Sequence, residues 1–350
     1  MGRRWSGPRG PHWKMAAREP KLNAEALMSL HPFSYVRPRS MAEAVEQLAR
    51  PDALPLGGGT DLLTLIQDNL AHPATLVDLR AVPGARDITP GAGRGLRIGA
   101  AARLHDVAQD ARVVRDFPAL AQACDAVGTN ALRYMGTMGG NLCQRPRCWY
   151  FRGNVPCYKS GVAACPAEHG ESQYLAILGG GPCWAVHPSD PAVALTALAA
   201  ELEIVSARGT RRVPISEFYT SPARAPERET VLEPGEIVAA IELGHGNAGG
   251  SQRYEKLMQR AAWDFALVSV AAVRSEAGDI RLVMGGVAPG PWRVPSSVEE
   301  DISSGGLDPD DVATLADRAL YDARPLVRNS YKLALAGTLL RRAIAELSAT

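Results

Sequence analysis

The sequence predicts an α+β protein of two domains, and three observations carry that expectation. At 350 residues the chain is long enough for two cores of ordinary size. Its N-terminal half carries two glycine-rich loops, the first set between a strand pattern and a helical one. Its C-terminal part sets strand patterns first and helical patterns afterwards, the order that gathers helices on one face of a sheet. The expected segments are an arm at residues 1–27, a first domain at 28–222 and a second at 223–350.

Composition narrows the function classes. Hydrophobic residues make up 46% of the chain and charged residues 21%, with a formal net charge of +1. That balance offers no basic excess to hold a phosphate backbone, so no nucleic-acid partner is expected. No apolar run reaches the length of a membrane span. The first two dozen residues are rich in Arg, Gly and Pro and lack the apolar centre of a secretory signal, although Arg3-Arg4 superficially resembles a twin-arginine signal. They read as a disordered arm, with Met28 as an alternative start. Clustered thiols without a secretory signal point to cytoplasmic assembly, with export alongside a signal-bearing partner subunit as the alternative.

Taken in order, Phe33-Ser34-Tyr35 opens the ordered chain. Ser40 and Glu43 form a capping box ahead of Met41, Ala44, Val45 and Leu48 at helical spacing. Leu54-Pro55-Leu56 reads as a strand that empties into Gly57-Gly58-Gly59-Thr60-Asp61, and Leu62 to Asn69 as a helix opened by Thr60 or Asp61. Thr75 to Leu79 and Leu96 to Gly99 are strand patterns, and Ala119 to Val127 is helical. His187 to Ala200 is an alanine-rich helix with Ser189 as N-cap. Leu202–Val205 and Arg211–Ile215 flank a turn and form a hairpin. Thr220 to Glu233, rich in Pro, Arg and Glu, marks the boundary. Glu236–Leu243, Phe265–Arg274 and Ile280–Val287 then read as strands of a second sheet. Pro309–Tyr321, capped by Asp308, and Ser330–Leu347 read as helices covering one face of it.

The two glycine loops carry the first chemistry. Gly57 to Asp61 lies between a strand and a helix, where backbone N–H groups cradle an anionic phosphate. No Gly-Lys-Ser/Thr follows, so it is not a P-loop, and no glycine stands at position 62 to complete G-x-G-x-x-G. Gly136-Thr137-Met138-Gly139-Gly140-Asn141-Leu142 repeats the chemistry, with Thr137 and Asn141 as donors. A tight turn explains one such loop. Two in one domain point to a dinucleotide.

The cysteines carry the second. Cys143, Cys148, Cys157, Cys165 and Cys183 compete for a four-ligand site. Structural zinc uses paired C-x2-4-C knuckles, and only C-x4-C occurs here, at the start. The wider gaps suit a loop around a larger cubane cluster, with zinc and free thiols as alternatives. Arg145, Arg147, Arg152 and Lys159 lie in the same stretch, where positive charge lowers thiolate pKa values and offsets the charge of a cluster. Cys124, in an apolar helical pattern, reads as a buried inert thiol.

Together, Pro55 to Leu63, Gly136 to Leu142 and Ser189-Asp190, followed by Tyr254-Glu255-Lys256 and Phe265 to Val270, resemble the FAD-binding medium subunit of the xanthine dehydrogenase, or molybdenum hydroxylase, family. The resemblance runs from about Pro32 to Leu347. It implies a vanillyl-alcohol-oxidase-like (PCMH-type) FAD-binding domain followed by a smaller α+β domain of the CO-dehydrogenase-flavoprotein C-terminal kind. The stretch from Gln144 to Asp190 further resembles relatives with an extra [4Fe–4S] cluster, and the wording Arg147-Cys148-Trp149-Tyr150-Phe151-Arg152 favours periplasmic-type aldehyde oxidoreductases over 4-hydroxybenzoyl-CoA reductase. The ligands so implied are Cys148, Cys157, Cys165 and Cys183, with Cys143 the odd one out and the one rival to Cys183.

The same resemblance implies the remaining roles. Leu56, Gly57, Gly58, Gly59, Thr60, Asp61 and Leu62, with Gly128, Thr137, Gly140, Asn141 and Leu142, hold the FAD pyrophosphate and ribityl region. Asp190, beside Ser189, bonds the adenosine part. Lys256 places positive charge near the isoalloxazine, the alternative being a solvated lysine beside Glu255. His187 is read as structural rather than as a base. No catalytic residue is expected: substrate chemistry belongs to a molybdopterin-binding large subunit, and a [2Fe–2S] small subunit relays electrons to FAD and on to an external acceptor. The competing readings are a stand-alone flavin oxidase and a zinc-stabilised assembly module.

Overall fold

Three short parallel strands, Ser34–Val36 (β1), Ala53–Leu56 (β2) and Thr75–Asp78 (β3), form a sheet in the order β1-β3-β2. β2 ends at the first glycine loop, and the helix Leu62–Gln67 leaves from it. These assignments come from a computed structural model that describes residues 31–91 and 95–348. The expected arm at 1–27 lies outside the described residues. The helix Met41–Leu48 begins where the sequence places it. Ser40 Oγ accepts from the backbone N–H of Glu43 at 3.1 Å, and Glu43 Oε2 accepts from that of Arg39 at 2.7 Å.

A second sheet has five antiparallel strands: Ile88–Pro90 (β4), Leu96–Gly99 (β5), Glu201–Ser206 (β6), Gly209–Pro214 (β7) and Ile237–Leu243 (β8), in the order β4-β5-β8-β6-β7. The hairpin β6–β7 is as expected. β8 is not: read as part of the C-terminal sheet, it lies between β5 and β6. Its nearly continuous apolar run fits a strand covered on both sides.

The third sheet, β12-β11-β10-β9, consists of Ser251–Leu257 (β9), Val268–Arg274 (β10), Ile280–Gly285 (β11) and Trp292–Arg293 (β12), all antiparallel. Alternation along β10 sorts its side chains between two cores. Val268, Val270 and Ala272 join the C-terminal helices Pro309–Ala319 and Tyr331–Ser348, which cover that face as expected. Ala271 and Val273 face the core of the N-terminal region.

Within the core of the N-terminal region runs the helix Asp190–Ala197, with all eight residues buried. Ser189 caps it, accepting from the backbone N–H of Ala192 at 3.1 Å. A helix apolar all round has to be central, and a Cβ on Gly285 of β11 would come within 2.5 Å of Val193. From Pro32 onward the chain forms one compact unit. Among the described residues no helix is long and apolar enough to cross a membrane.

Candidate functional site

The two glycine loops pack directly on each other. A Cβ on Gly57 would stand 2.5 Å from Thr137 Oγ1, and one on Gly58 would enter the carbonyl of Met135. Only glycine permits this approach. Thr137 caps the short helix Met138–Leu142, accepting from the backbone N–H of Gly140 at 3.2 Å. Asn141 Oδ1 accepts from Ser189 Oγ at 2.5 Å, joining the second loop to the central helix. The carbonyl of Leu142 accepts from the Tyr219 hydroxyl at 3.1 Å. Leu56 is buried, while Thr60 is exposed beside the start of the helix at Leu62. Gly128 stands apart, in left-handed backbone (φ +52°), its carbonyl accepting from the N–H of Trp263.

One cavity adjoins the paired loops, and a second lies at the start of the helix Asp190–Ala197. The first, of about 110 Å³, is lined by Gly57, Thr137, Gly139, Gly140 and Cys143. The second, of about 470 Å³, runs from Arg147 to Tyr150 across His187, Ser189 and Asp190 to Phe265, Ser269 and Gly286. Two buried polar atoms of its lining residues, His187 Nε2 and Ser269 Oγ, have no hydrogen-bond partner among the described residues. A glycine cradle and orphaned polar groups fit a dinucleotide with a polar, planar end.

Asp190 and Lys256 occupy one buried network. Lys256 Nζ donates to Asp190 Oδ2 at 2.7 Å and to the carbonyls of Ala126 and Asp264, each at 3.0 Å. Tyr254 donates its hydroxyl to Asp190 Oδ1 at 2.6 Å. Burial pushes the Asp190 carboxyl up, against the ammonium and the phenol that hold it down. The solvated-lysine alternative is therefore overturned: the Lys256 side chain is only 3% exposed, and its charge is matched by Asp190. His187 is structural, as expected. Its ring tilts against Tyr219 with centroids 4.6 Å apart, and burial lowers its pKa to about 3, which keeps it neutral.

The cysteines separate into groups that spacing alone did not resolve. Cys148, Cys157, Cys165 and Cys183 line one small apolar recess, together with Lys159. Cys143 is elsewhere, on the cavity beside the glycine loops. Cys124 is fully buried, its thiol 3.7 Å from the sulfur of Met138. Burial pushes the Cys183 thiol up to about 11 and also raises Cys148. Backbone N–H groups of Phe151 and Tyr150 oppose the rise at Cys148, as that of Ala185 does at Cys183. Among the described residues no three His, Cys, Asp or Glu side chains are placed to hold a single metal ion. Four thiols lining one recess are the donor set that an iron–sulfur cluster takes.

Of the cations in this stretch, Lys159 does what the sequence suggests, opposing the rise at Cys183; the arginines do not. Arg147 and Arg152 reach Asp61 Oδ1 at 2.9 and 2.7 Å, and the backbone N–H of Arg145 donates to Asp61 Oδ2 at 2.8 Å. Arg145 and Lys159 pair with Glu229 at 2.7 and 2.9 Å. Their charge answers carboxylates rather than thiols, Lys159 alone reaching the recess. Asp61 in consequence makes no side-chain cap to the helix Leu62–Gln67. Instead it fastens the cysteine stretch to the first glycine loop. Glu229, in the boundary segment, was missed because no local pattern marks a carboxylate whose partners lie some 70 to 84 positions away.

The two chambers share a wall. Cys148, Tyr150 and Leu175 line both the recess and the large cavity. Residues 31–245 match the FAD binding domain in molybdopterin dehydrogenase, and residues 253–347 the CO dehydrogenase flavoprotein C-terminal domain. The chain is 38% identical to the aldehyde oxidoreductase FAD-binding subunit PaoB of Escherichia coli, over 91% of this chain and 98% of that subunit. It is 29% identical to the glyceraldehyde dehydrogenase medium chain of Sulfolobus acidocaldarius, over 84% and 89% respectively. Among solved structures, quinoline 2-oxidoreductase from Pseudomonas putida matches with a TM-score of 0.70 at 25% identity, covering 92% of this chain and 99% of that one. The chain belongs to the FAD-binding medium subunits of the molybdenum hydroxylase family.

Proposed function

We propose that the chain is the electron-transfer subunit of an aldehyde-oxidising molybdenum enzyme, holding a [4Fe–4S] cluster beside its FAD. It would work with a molybdopterin-binding large subunit, a [2Fe–2S] small subunit and an external electron acceptor, and assemble in the cytoplasm. The wall shared by recess and cavity carries this reading, because Cys148 reaches both. The aldehyde preference rests on the likeness to PaoB.

When bound, FAD supplies a two-electron centre and the cluster a one-electron centre. The protein's own part is to seat and insulate them. The glycine loops admit a pyrophosphate close to backbone N–H groups. Cys148, Cys157, Cys165 and Cys183 would supply thiolates, and N–H groups at Tyr150, Phe151 and Ala185 would bond the ligand sulfurs and steady their charge. Neutral His187 and the matched pair Asp190–Lys256 leave the cavity wall without net charge from those three groups.

Metal, acid-labile sulfide and flavin analysis of the purified complex tests the reading. About four irons and one flavin per chain are expected from this subunit, beyond those of its partners. Serine at Cys148, Cys157, Cys165 or Cys183 should abolish the cluster's low-temperature EPR signal after reduction, whereas Cys143→Ser should retain it. Stoichiometric zinc in place of iron, or cluster loss with Cys143→Ser alone, would refute the assignment.

A further inference from the structure

Lys332 breaks three rules of residue placement at once. It is the second residue of the helix Tyr331–Ser348, so a cation sits at the positive end of the helix dipole, and the first turn has no acidic residue to offset it. It is 1% exposed, among the largest fully buried side chains. Among the described residues it joins no ion pair, and its single side-chain partner is the carbonyl of Gly286, which accepts from Nζ at 2.6 Å. Leucine or methionine would fill that volume without these penalties. A local violation that the rest of the fold tolerates is the mark of a functional position.

The place of the partner gives the violation a use. Gly286, in left-handed backbone (φ +74°), lines the large cavity. Lys332 itself does not line it, so the lysine stands one peptide behind the wall. Lys256, the cation to which the sequence assigned a flavin-tuning role, is matched by Asp190. Lys332 is the buried cation near this cavity without such a match.

We propose that Lys332 tunes the flavin of the large cavity, its ammonium acting through the Gly286 peptide to favour the negative charge that reduction places on the ring. The inference rests on the reading of that cavity as the flavin site. Lys332 touches neither flavin nor cavity, and so acts as a tuning residue behind the wall. Field effects of this kind are strong because the intervening medium is protein rather than water.

The test is a spectroelectrochemical titration of the flavin in the intact complex at about pH 6. Burial lowers Lys332 to about 7, so the ammonium is the main form there. Lys332→Gln keeps a donor for the Gly286 carbonyl and removes the charge. Its reduced-to-oxidised flavin ratio at a fixed applied potential should fall at least tenfold, which is about 30 mV for a two-electron couple. Lys332→Met should show the same shift with a larger loss of thermal stability, and Lys332→Arg should restore the potential. A Gln or Met variant that holds flavin at wild-type stoichiometry with an unchanged potential overturns the proposal and leaves Lys332 as an anchor only. Absence of flavin from the unaltered complex would overturn both this inference and the reading beneath it.

Discussion

His187 is held neutral by its surroundings, and that has a measurable consequence. Burial is the main cause of its lowered pKa, with Arg147 and Lys159 adding repulsion. An unfolded histidine titrates near 6.5. From there down to about 3 the unfolded chain binds a proton that the folded chain refuses. Stability therefore rises with pH across this window and is lost on acidification, by up to about 1.4 kcal/mol per pH unit from this group. Urea denaturation of wild type and His187→Asn checks it. Between about pH 6 and pH 4.5 the wild type should lose roughly 2 kcal/mol more than the variant; equal losses would show that His187 titrates normally. The buried pair nearby gives a sharper result. Lys256→Met leaves the Asp190 carboxylate buried with only Tyr254, and loss of one partner from such a pair costs about 3–5 kcal/mol. A denaturation midpoint that stays put would mean that Asp190 already folds protonated.

At the scale of elements, the fold was legible wherever its causes are local. The helices at Met41, Asp190, Pro309 and Tyr331 follow from caps and spacing, and the hairpin β6–β7 follows from its turn. β8 was assigned to the wrong sheet because an apolar run carries no record of its partners. β9 went unread as a strand because Arg253, Glu255 and Lys256 break its alternation, and all three serve ion pairs with distant residues. The site followed the same division. The glycine loops and the four clustered cysteines were visible as composition, whereas the clamp from Asp61 to Arg147 and Arg152 spans more than 80 positions. That clamp predicts a coupling between the two chambers. Asp61→Ala removes the carboxylate that two half-buried guanidinium groups share, which should destabilise the 145–165 stretch by about 1–3 kcal/mol. Limited proteolysis should cut there faster, and the flavin-to-protein absorbance ratio should fall in parallel. Cleavage at the wild-type rate with full flavin content would show the clamp to be incidental.

At the scale of the whole molecule, the two matched family regions meet after β8, between residues 245 and 253, yet the packing does not divide there. The core around the helix Asp190–Ala197 takes in Tyr254, Ala271, Val273 and Val283 from the third sheet. Asp190 has both carboxylate oxygens bonded from β9, by Tyr254 and Lys256. The large cavity draws its wall from both sides of the junction, with Ser189 and Asp190 on one side and Phe265, Ser269 and Gly286 on the other. A fragment of residues 32–245 would lose all of this. Each apolar side chain newly exposed on the central helix forgoes roughly 1.5–3 kcal/mol, and Asp190 would lose its bonds from β9, so a few such losses match the stability of a whole domain. Expressed alone, that fragment should bind no stoichiometric flavin and show no cooperative thermal transition. Adding residues 246–350 in trans should restore both, because what is missing is a packing surface and two side chains rather than a covalent link. A fragment that folds cooperatively and turns yellow by itself would mean that the flavin is held by the glycine loops alone, with the third sheet a passive cover.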